Sequence, residues 1–159
     1  MTVAIYPGTF DPVHYGHMDI ARRAAGLFDK LVVAVYDRPQ KSLMFSTEER
    51  VKMVYEALSD VPNIEVESYE GLTADFAHER GARVIVRGLR VISDFEREYQ
   101  MALTTRRLAP DLDMICLMTS LDYAFLSSSI VKEIATAGGS VLQFVPSHVE
   151  QAVLAHLRA

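Results

Sequence analysis

The sequence predicts an α/β fold: a Rossmann-like, doubly wound parallel sheet of five strands with helices on both faces. Short apolar runs of strand length alternate with longer segments in which apolar residues recur at helical spacing. The short runs are almost continuously apolar, as parallel strands covered on both faces should be. With 159 residues, of which 50% are hydrophobic, the chain is expected to form a single domain over residues 1–159.

The elements follow one another in a regular order. The predicted strands cover residues 3–6, 31–36, 64–66, 84–86 and 114–118, and helices are predicted to begin near residues 16, 46, 74, 94, 127 and 147. Ser46 with Glu49, and Ser147 with Glu150, have the spacing of capping boxes. Right-handed crossovers favour the strand order 3-2-1-4-5, in which the winding reverses between strands one and four. Ligands bind beyond the strand ends at such a reversal, so residues 9–17 and 87–90 are expected to meet there.

The segment between the first strand and the first helix reads G-T-F-D-P-V-H-Y-G-H at residues 8–17. A strand, a glycine-bearing turn and a helix N-terminus in this order can direct backbone N–H groups at an anion. A cationic histidine is disfavoured at the positive end of a helix, so His17 is expected to be a neutral N–H donor or to lie beside an anionic ligand. One histidine alone would suit a capping or surface residue, whereas the whole pattern predicts a nucleotide-phosphate site. The pattern resembles the motif of the H-x-G-H nucleotidyltransferase superfamily, whose members attack the α-phosphorus of a nucleoside triphosphate.

Three further segments carry groups that suit phosphate. Arg87 and Arg90 border Gly88 after strand four, and guanidinium groups bind phosphate bidentately without titrating. The serines at 127–129 begin the helix after strand five, where hydroxyl and backbone N–H groups suit the β and γ phosphates. Lys41 lies on the loop after strand two, and on residue type alone it is either a solvated lysine or a phosphate ligand.

Composition and absent motifs exclude several classes of function. A net charge of −5 argues against nucleic acid as a partner. The sequence lacks a basic leader and a membrane-spanning apolar run, so we expect a cytoplasmic protein without a membrane partner. It also lacks a P-loop, a set of metal ligands and a nucleophile elbow. The single cysteine, Cys116, lies in an apolar run and is predicted to be buried.

These absences favour direct chemistry between two bound substrates. A phosphate oxygen is already anionic at neutral pH, so a phosphorylated acceptor needs no general base to attack the α-phosphorus of ATP. The protein then has to hold two anions in line and stabilise charge at the α-phosphoryl group.

Several segments together resemble the phosphopantetheine adenylyltransferase family, and the match runs over nearly the whole chain. They read A-I-Y-P-G-T-F-D-P, M-F-S-T-E-E-R-V, V-R-G-L-R-x-x-x-D-F-E-x-E and F-L-S-S-S-I-V-K-E, followed by G-G-S-V and V-P. The resemblance implies reversible adenylyl transfer from ATP, with Mg²⁺, to 4′-phosphopantetheine. The implied products are 3′-dephospho-coenzyme A and pyrophosphate, and the implied assembly is a homohexamer.

The resemblance also implies roles for individual residues. His17, Lys41 and Arg90 would be catalytic, with His17 stabilising the pentavalent α-phosphorus. The acceptor would contact Thr9, Lys41, Thr73 and Arg87. ATP would contact Thr9, Phe10, His17, Gly88, Leu89, Arg90, Glu98, Tyr123, Ala124, Phe125, Leu126, Ser127, Ser128 and Ser129.

Some positions depart from the family pattern and keep alternatives open. His14 stands where the family often has threonine, and H-x-G-H is more typical of nicotinate or nicotinamide mononucleotide adenylyltransferases. Such an enzyme is one alternative, against which the R-G-L-R and S-S-S-x-x-K-E segments stand. A sensor that binds ATP without turnover is another. Thr73, Arg97 and Thr105 also differ from residues common in the family, which concerns the detail of the pocket rather than the reaction class.

Overall fold

The computed structural model describes residues 1–159, and the side chains of all of them except residues 92 and 93. In this description five strands alternate with helices. The strands are β1 (Val3–Gly8), β2 (Lys30–Tyr36), β3 (Ile64–Tyr69), β4 (Val84–Leu89) and β5 (Asp113–Met118). The helices are α1 (Tyr15–Ala25), α2 (Thr47–Leu58), α3 (Thr73–Glu79), α4 (Ile92–Leu108), α5 (Ser128–Thr136) and α6 (Ser147–Arg158), with a short 3-10 turn at Leu121–Tyr123.

The sheet confirms the predicted fold class and strand order. Its strands are ordered β3-β2-β1-β4-β5, and every neighbouring pair is parallel. Several strands are longer than their apolar runs suggested, because pairing continues past the buried residues. β4 pairs with β5 as far as Leu89 with Met118, so Arg90 alone of the predicted 87–90 loop lies beyond the strand.

The apolar side chains divide between the two faces of the sheet. Ala4, Tyr6 and Val33 face one side, where they pack with buried residues of α1, α2, α5 and α6. Ile5 and Val32 face the other side, where they pack with α3 and the residues that follow α4. Successive strand residues point to opposite faces, so a continuously apolar strand fills both layers.

The β5 edge differs from expectation at Cys116. This cysteine is exposed and not buried, because β5 pairs with a neighbour only on its β4 side and most of its residues are solvent-accessible. An apolar run at a sheet edge therefore does not imply burial. No helix among the described residues is both long and apolar enough to cross a membrane.

One of the two predicted capping boxes is confirmed. Ser46 accepts from the Glu49 N–H while the Glu49 carboxylate accepts from the Ser46 N–H. The second prediction is wrong, since α6 begins after Pro146 without a side-chain cap. The Glu150 carboxylate accepts instead from the Val141 N–H and the Ser140 hydroxyl. A tertiary contact to the preceding segment has replaced the local one.

The strands separate where the winding reverses. β1 pairs with β2 over its whole length, but its pairing with β4 covers only Ala4 with Val84 and Ile5 with Ile85. Beyond these pairs the carboxyl ends of β1 and β4 are no longer laddered together, and the gap between the two strand ends (here the crevice) lies at the switch point. Crevices of this kind are the usual ligand sites of doubly wound sheets.

Candidate active site

The loop after β1, residues 9–14 (here the motif loop), is tightly fixed. Phe10 has a φ of +53°, a left-handed conformation that is rare for a bulky side chain. Its ring is 2% exposed and packs edge-on against Tyr6 and His17. A Cβ on Gly8 would come within 3.0 Å of the Phe10 ring, so glycine is needed beneath it. The loop is therefore a preformed turn at the end of the central strand.

His14 and His17 cap the N-terminus of α1 reciprocally. The N–H groups of Gly16 and His17 donate to His14 Nδ1 at 3.0 and 3.3 Å, and the His14 N–H donates to His17 Nδ1 at 3.2 Å. The two rings stack with centroids 3.7 Å apart. A Cβ on Gly16 would lie 2.9 Å from the His14 ring, which explains the glycine of the motif.

This geometry sets the protonation of both rings. A backbone N–H can only donate, so each Nδ1 must carry a lone pair and each neutral ring must carry its proton on Nε2. Burial lowers the pKa of His14 to about 3, and the charge of Arg90 acts in the same direction. Burial also lowers the pKa of His17 well below its ordinary value, and His14, Arg90 and Arg87 lower it further. His17 is thus a neutral donor with its Nε2–H outside the cap, in agreement with the sequence prediction.

Arg87 bridges the gap between β4 and β1. Its Nη1 donates to the Pro7 carbonyl at 2.7 Å, and its Nε and Nη2 donate to the Glu98 carboxylate at 3.1–3.2 Å. Burial lowers the pKa of Arg87, but the hydrogen bonds and charge of Glu98 outweigh burial and leave it raised. Glu98 is 7% exposed and comes from α4. The structure thus gives Glu98 a partner within the protein, and its predicted contact with ATP stays a prediction.

Arg90, directly after β4, contacts the segment that precedes α5. Its Nη1 donates to the Leu126 carbonyl at 2.9 Å, and its Nε donates to Asp94 at 3.0 Å. A guanidinium has five N–H donors. In both Arg87 and Arg90, the contacts with described residues use Nε–H and one N–H of each terminal nitrogen, so two N–H groups of each side chain make no such contact. Each arginine is oriented by the protein and still has donors for an anion.

The N-terminus of α5 lies against the motif loop. Ser127 caps the helix by accepting from the Ile130 N–H, and the Ser128 hydroxyl donates to the Pro12 carbonyl at 2.8 Å. One turn further on, Lys132 forms an ion pair with Asp11 at 3.1 Å. Phe125, another of the predicted ATP contacts, packs edge-on against Phe144. The helix that carries the serines is therefore fixed to the histidine motif by two direct contacts.

The predicted acceptor residues lie on the neighbouring loops. Lys41 is exposed in the middle of the loop between β2 and α2, residues 37–46 (here the lysine loop). Partial desolvation lowers its pKa and Lys132 lowers it further, while Asp11 opposes them. Thr73 begins α3, and its hydroxyl lies 2.9 Å from the Tyr69 hydroxyl. Burial raises the pKa of Tyr69, while the hydrogen bond with Thr73 and the charge of Arg87 oppose this rise.

Several residues that organise the site were not among the predicted site residues. Asp11 is 2% exposed, and its carboxylate accepts from the N–H groups of Met44 and Phe45 as well as from Lys132. Arg50 is fully buried and donates to four backbone carbonyls. Both lie within the quoted family segments. A second signal was available for Arg50, since it shares the buried face of α2 with Val54 and Ala57.

The donor set of the site does not suit a protein-held magnesium ion. No group of three or more His, Cys, Asp or Glu side chains within the described part of the chain could hold a metal. The carboxylates near the crevice, those of Asp11, Asp94 and Glu98, already accept hydrogen bonds from Lys132, Arg90 and Arg87. Mg²⁺ prefers carboxylate and phosphate oxygens, and here only the phosphates of a bound nucleotide would provide them.

Fold and site together define a nucleotidyltransferase, with a neutral imidazole, two oriented arginines and a helix N-terminus around one crevice. A model of the cytidylyltransferase-like family matches residues 5–134. The phosphopantetheine adenylyltransferase of Synechococcus elongatus is 53% identical over 150 residues, which cover 94% of this chain and 90% of the relative. That of Caldanaerobacter subterraneus is 51% identical over 154 residues, covering 97% and 96%. The chain belongs to the phosphopantetheine adenylyltransferase family.

A solved structure from Vibrio parahaemolyticus shares the fold. It is described as a candidate nicotinate-nucleotide adenylyltransferase, and it superposes with a TM-score of 0.73 over 99% of this chain and 95% of that one. Only 14% of the aligned residues are identical, so this similarity concerns the fold alone. The pyridine-nucleotide alternative is not favoured, because relatives at about half identity carry the other name.

Proposed function

We propose that the protein transfers the adenylyl group of ATP to 4′-phosphopantetheine, giving 3′-dephospho-coenzyme A and pyrophosphate in coenzyme A biosynthesis. The observation that carries the mechanism is the reciprocal cap between His14 and His17, which keeps His17 as an Nε2–H donor. The relatives named phosphopantetheine adenylyltransferase support the choice of acceptor.

His17 acts on the α-phosphoryl group. Its Nε2–H donates to a non-bridging oxygen of the α-phosphate, and this hydrogen bond strengthens as negative charge builds on that oxygen in the transition state. The neutral ring matters because a neutral donor avoids the cost of a cation at the positive end of α1. Since the cap fixes the ring before substrates arrive, little reorganisation is needed during the reaction.

The other polar groups divide between the two substrates. Arg90, Gly88, Leu89 and the serines at 127–129 hold the triphosphate at the N-terminus of α5, where the helix dipole favours an anion. Lys41 and Arg87 bind the acceptor phosphate, with Thr73 beside its pantetheine arm and Thr9 between the two substrates. The positive groups offset the repulsion between the two anions, so that the acceptor oxygen can approach the α-phosphorus in line with the departing pyrophosphate.

No side chain needs to remove a proton in this reaction. The acceptor phosphate is a dianion above its second pKa of about 6, so its oxygen attacks directly and pyrophosphate leaves without a covalent enzyme intermediate. Magnesium would be held by the phosphate oxygens of ATP, where it would neutralise charge on the triphosphate.

An acceptor assay tests the proposed function. The protein is incubated with MgATP and either 4′-phosphopantetheine or nicotinate mononucleotide, and pyrophosphate release is followed. We expect release only with 4′-phosphopantetheine. Release only with nicotinate mononucleotide would overturn the acceptor, and tight ATP binding without release from either mixture would favour the sensor.

The family resemblance also supports a homohexamer. Large apolar side chains are exposed on α4, at the end of β5 and just after it: Phe95, Tyr99, Leu103, Met118 and Leu121 are each more than half exposed. Apolar surfaces of this kind commonly mark contacts between subunits. Light scattering coupled to size-exclusion chromatography should give six times the mass of 17.8 kDa, and a monomer or dimer at micromolar concentration would contradict the hexamer.

A further inference from the structure

Two buried charged side chains connect the loops on either side of the crevice. Arg50, from the first turn of α2, donates from Nε to the Phe45 carbonyl at 3.3 Å and from Nη1 to the Tyr36 carbonyl at 2.8 Å. These carbonyls lie at the two ends of the lysine loop. A further bond from Nη2 to the Asp37 carbonyl holds the first residue of the loop. One guanidinium thus fixes both ends of the segment whose middle carries Lys41.

The same two side chains also hold the motif loop. Arg50 Nη1 donates to the Thr9 carbonyl at 2.9 Å. Asp11 belongs to the motif loop itself, and its two carboxylate oxygens accept from Met44 N–H at 2.8 Å and Phe45 N–H at 2.9 Å, at the end of the lysine loop. The loop that would bind the acceptor and the loop that would act on ATP are therefore joined through one cation and one anion.

The middle of the lysine loop is held much less firmly. Residues 38, 40, 41 and 42 are exposed, whereas Arg50 and Asp11 are 0% and 2% exposed. Among the described residues, the side-chain hydrogen bonds that fix the loop gather at its ends. Because both ends of the lysine loop are fixed, its middle stays within a narrow region even though the middle makes few contacts of its own.

We propose that Arg50 and Asp11 are positioning residues that set the place of Lys41 relative to His17, and so align the acceptor phosphate with the α-phosphorus. This inference rests on the proposed function. Neither residue needs to touch a substrate, because each acts through the backbone of the lysine loop. A misplacement of about 1 Å is known to cost about a hundredfold in rate in sites of this kind, so such positioning matters for turnover.

The test compares Arg50→Lys and Asp11→Asn with a matched control, Arg22→Lys. Lysine keeps the charge at position 50 but has one nitrogen, which cannot reach carbonyls at both ends of the loop. Arg22 makes a bidentate pair with Asp60, which follows the C-terminal end of α2, whereas the lysine loop precedes its N-terminal end. The measurements are kcat, the KM for 4′-phosphopantetheine, and the equilibrium affinity for MgATP.

We expect Arg50→Lys to raise the acceptor KM at least about tenfold and lower kcat, while ATP affinity changes less than about threefold. Asp11→Asn should also raise the acceptor KM, but it should weaken ATP binding more than Arg50→Lys does, because Lys132 of α5 loses its ion pair with Asp11. Arg22→Lys should change none of these constants. Equal losses for both substrates in Arg50→Lys, or normal constants in the folded variants, would overturn the proposal. If Arg50→Lys does not fold, the acceptor KM of Asp11→Asn decides the question, and an unchanged value would overturn the proposal.

Limited trypsin digestion gives a readout that does not need activity. The peptide bond after Lys41 is a trypsin cleavage site within the lysine loop, whereas the bond after Arg38 resists trypsin because Pro39 follows it. Arg50→Lys should speed cleavage after Lys41 selectively, and general loosening would speed all sites alike and contradict the proposal. Wild-type protein that releases no pyrophosphate would refute the proposed function and leave this arm of the test valid.

Discussion

Replacing His17 with alanine tests the most specific chemical assignment in the site. The imidazole offers one donor, Nε2–H, to the reacting phosphate, because Nδ1 accepts from the His14 N–H at 3.2 Å. Loss of one such preorganised donor typically costs about 10²–10³ in kcat, or about 2.7–4 kcal/mol of transition-state stabilisation. We therefore expect His17→Ala to lower kcat by at least about a hundredfold.

The same substitution removes half of the helix cap, and this cost has to be separated from catalysis. The His14 N–H would lose its acceptor, while the His14 ring would still cap Gly16 N–H. Losing one capping bond costs about 1 kcal/mol, which lowers the Tm of a domain of this size by about 2–4 °C. That loss is small against the 5–15 kcal/mol typical of folded domains, so the variant should be folded at 25 °C.

Pyrophosphate release at saturating MgATP and 4′-phosphopantetheine gives kcat, and a thermal melt gives the stability. His78→Ala is the matched control, since His78 is exposed on α3 and pairs with Asp111. A transition-state role lowers kcat and kcat/KM by similar factors. A His17→Ala enzyme whose kcat lies within about tenfold of wild type would remove His17 from the mechanism.

Three further substitutions probe charge and position. The pKa of His14 is about 3 in the folded state and 6.5 in the unfolded chain. Between these two values only the unfolded state takes up the proton, so the free energy of unfolding decreases as the pH is lowered. Between pH 7 and pH 5 this removes about 2 kcal/mol, and His14→Asn, which keeps a cap, should flatten the fall in Tm over that range by scanning fluorimetry. Glu98→Gln leaves Arg87 partly unpaired. We expect urea denaturation to show a free energy of unfolding lower by about 1–3 kcal/mol, and we expect the acceptor KM to rise. An unchanged free energy of unfolding would mean that the pair contributes little to stability. Lys41→Ala should raise the acceptor KM at least about tenfold and leave ATP affinity almost unchanged in titration calorimetry. Its control is Lys52→Ala, at an exposed position of α2, which should affect neither constant. Equal effects of the two substitutions would contradict a role for Lys41.

The fold could be predicted because its signals are local. Strand-length apolar runs alternate with helical patterns, and right-handed crossovers leave only a few strand orders, among them the Rossmann-like order 3-2-1-4-5 that the structure has. The order predicted the crevice between β1 and β4, and it brought the histidine segment and the arginine segment to one edge of the sheet. The contact between Arg87 Nη1 and the Pro7 carbonyl joins these segments directly.

What could not be predicted depends on partners distant in sequence. In sequence Glu98 is one of several charged residues in a helix, and only the fold pairs it with Arg87, eleven residues earlier. Arg50 lies at helical spacing with Val54 on the buried face of α2, but only the fold brings its guanidinium to the carbonyl of Thr9, which is 41 residues away in sequence. Tyr55 shows a limit of the helical pattern itself: it lies at helical spacing with Val51 and Leu58, which predicts one apolar face, and yet it is 62% exposed.

His14 shows that a motif residue can have a structural role that the motif alone does not indicate. Its position in H-x-G-H is more typical of pyridine-nucleotide enzymes, which keeps such an enzyme as an alternative on sequence alone. In the structure its side chain occupies the N-cap of α1 and accepts from two N–H groups. Threonine, which the family often has there, is also a good N-cap, so the local structure is compatible with either residue.

The stereochemical course at the α-phosphorus tests the central claim most directly. The reaction is run with a single diastereomer of ATP that carries sulfur on the α-phosphate, and the configuration of the product is read by ³¹P nuclear magnetic resonance. Direct attack by the acceptor phosphate inverts the configuration. Retention would require two successive displacements through a covalent enzyme intermediate, and would contradict a site that works by holding two anions in line.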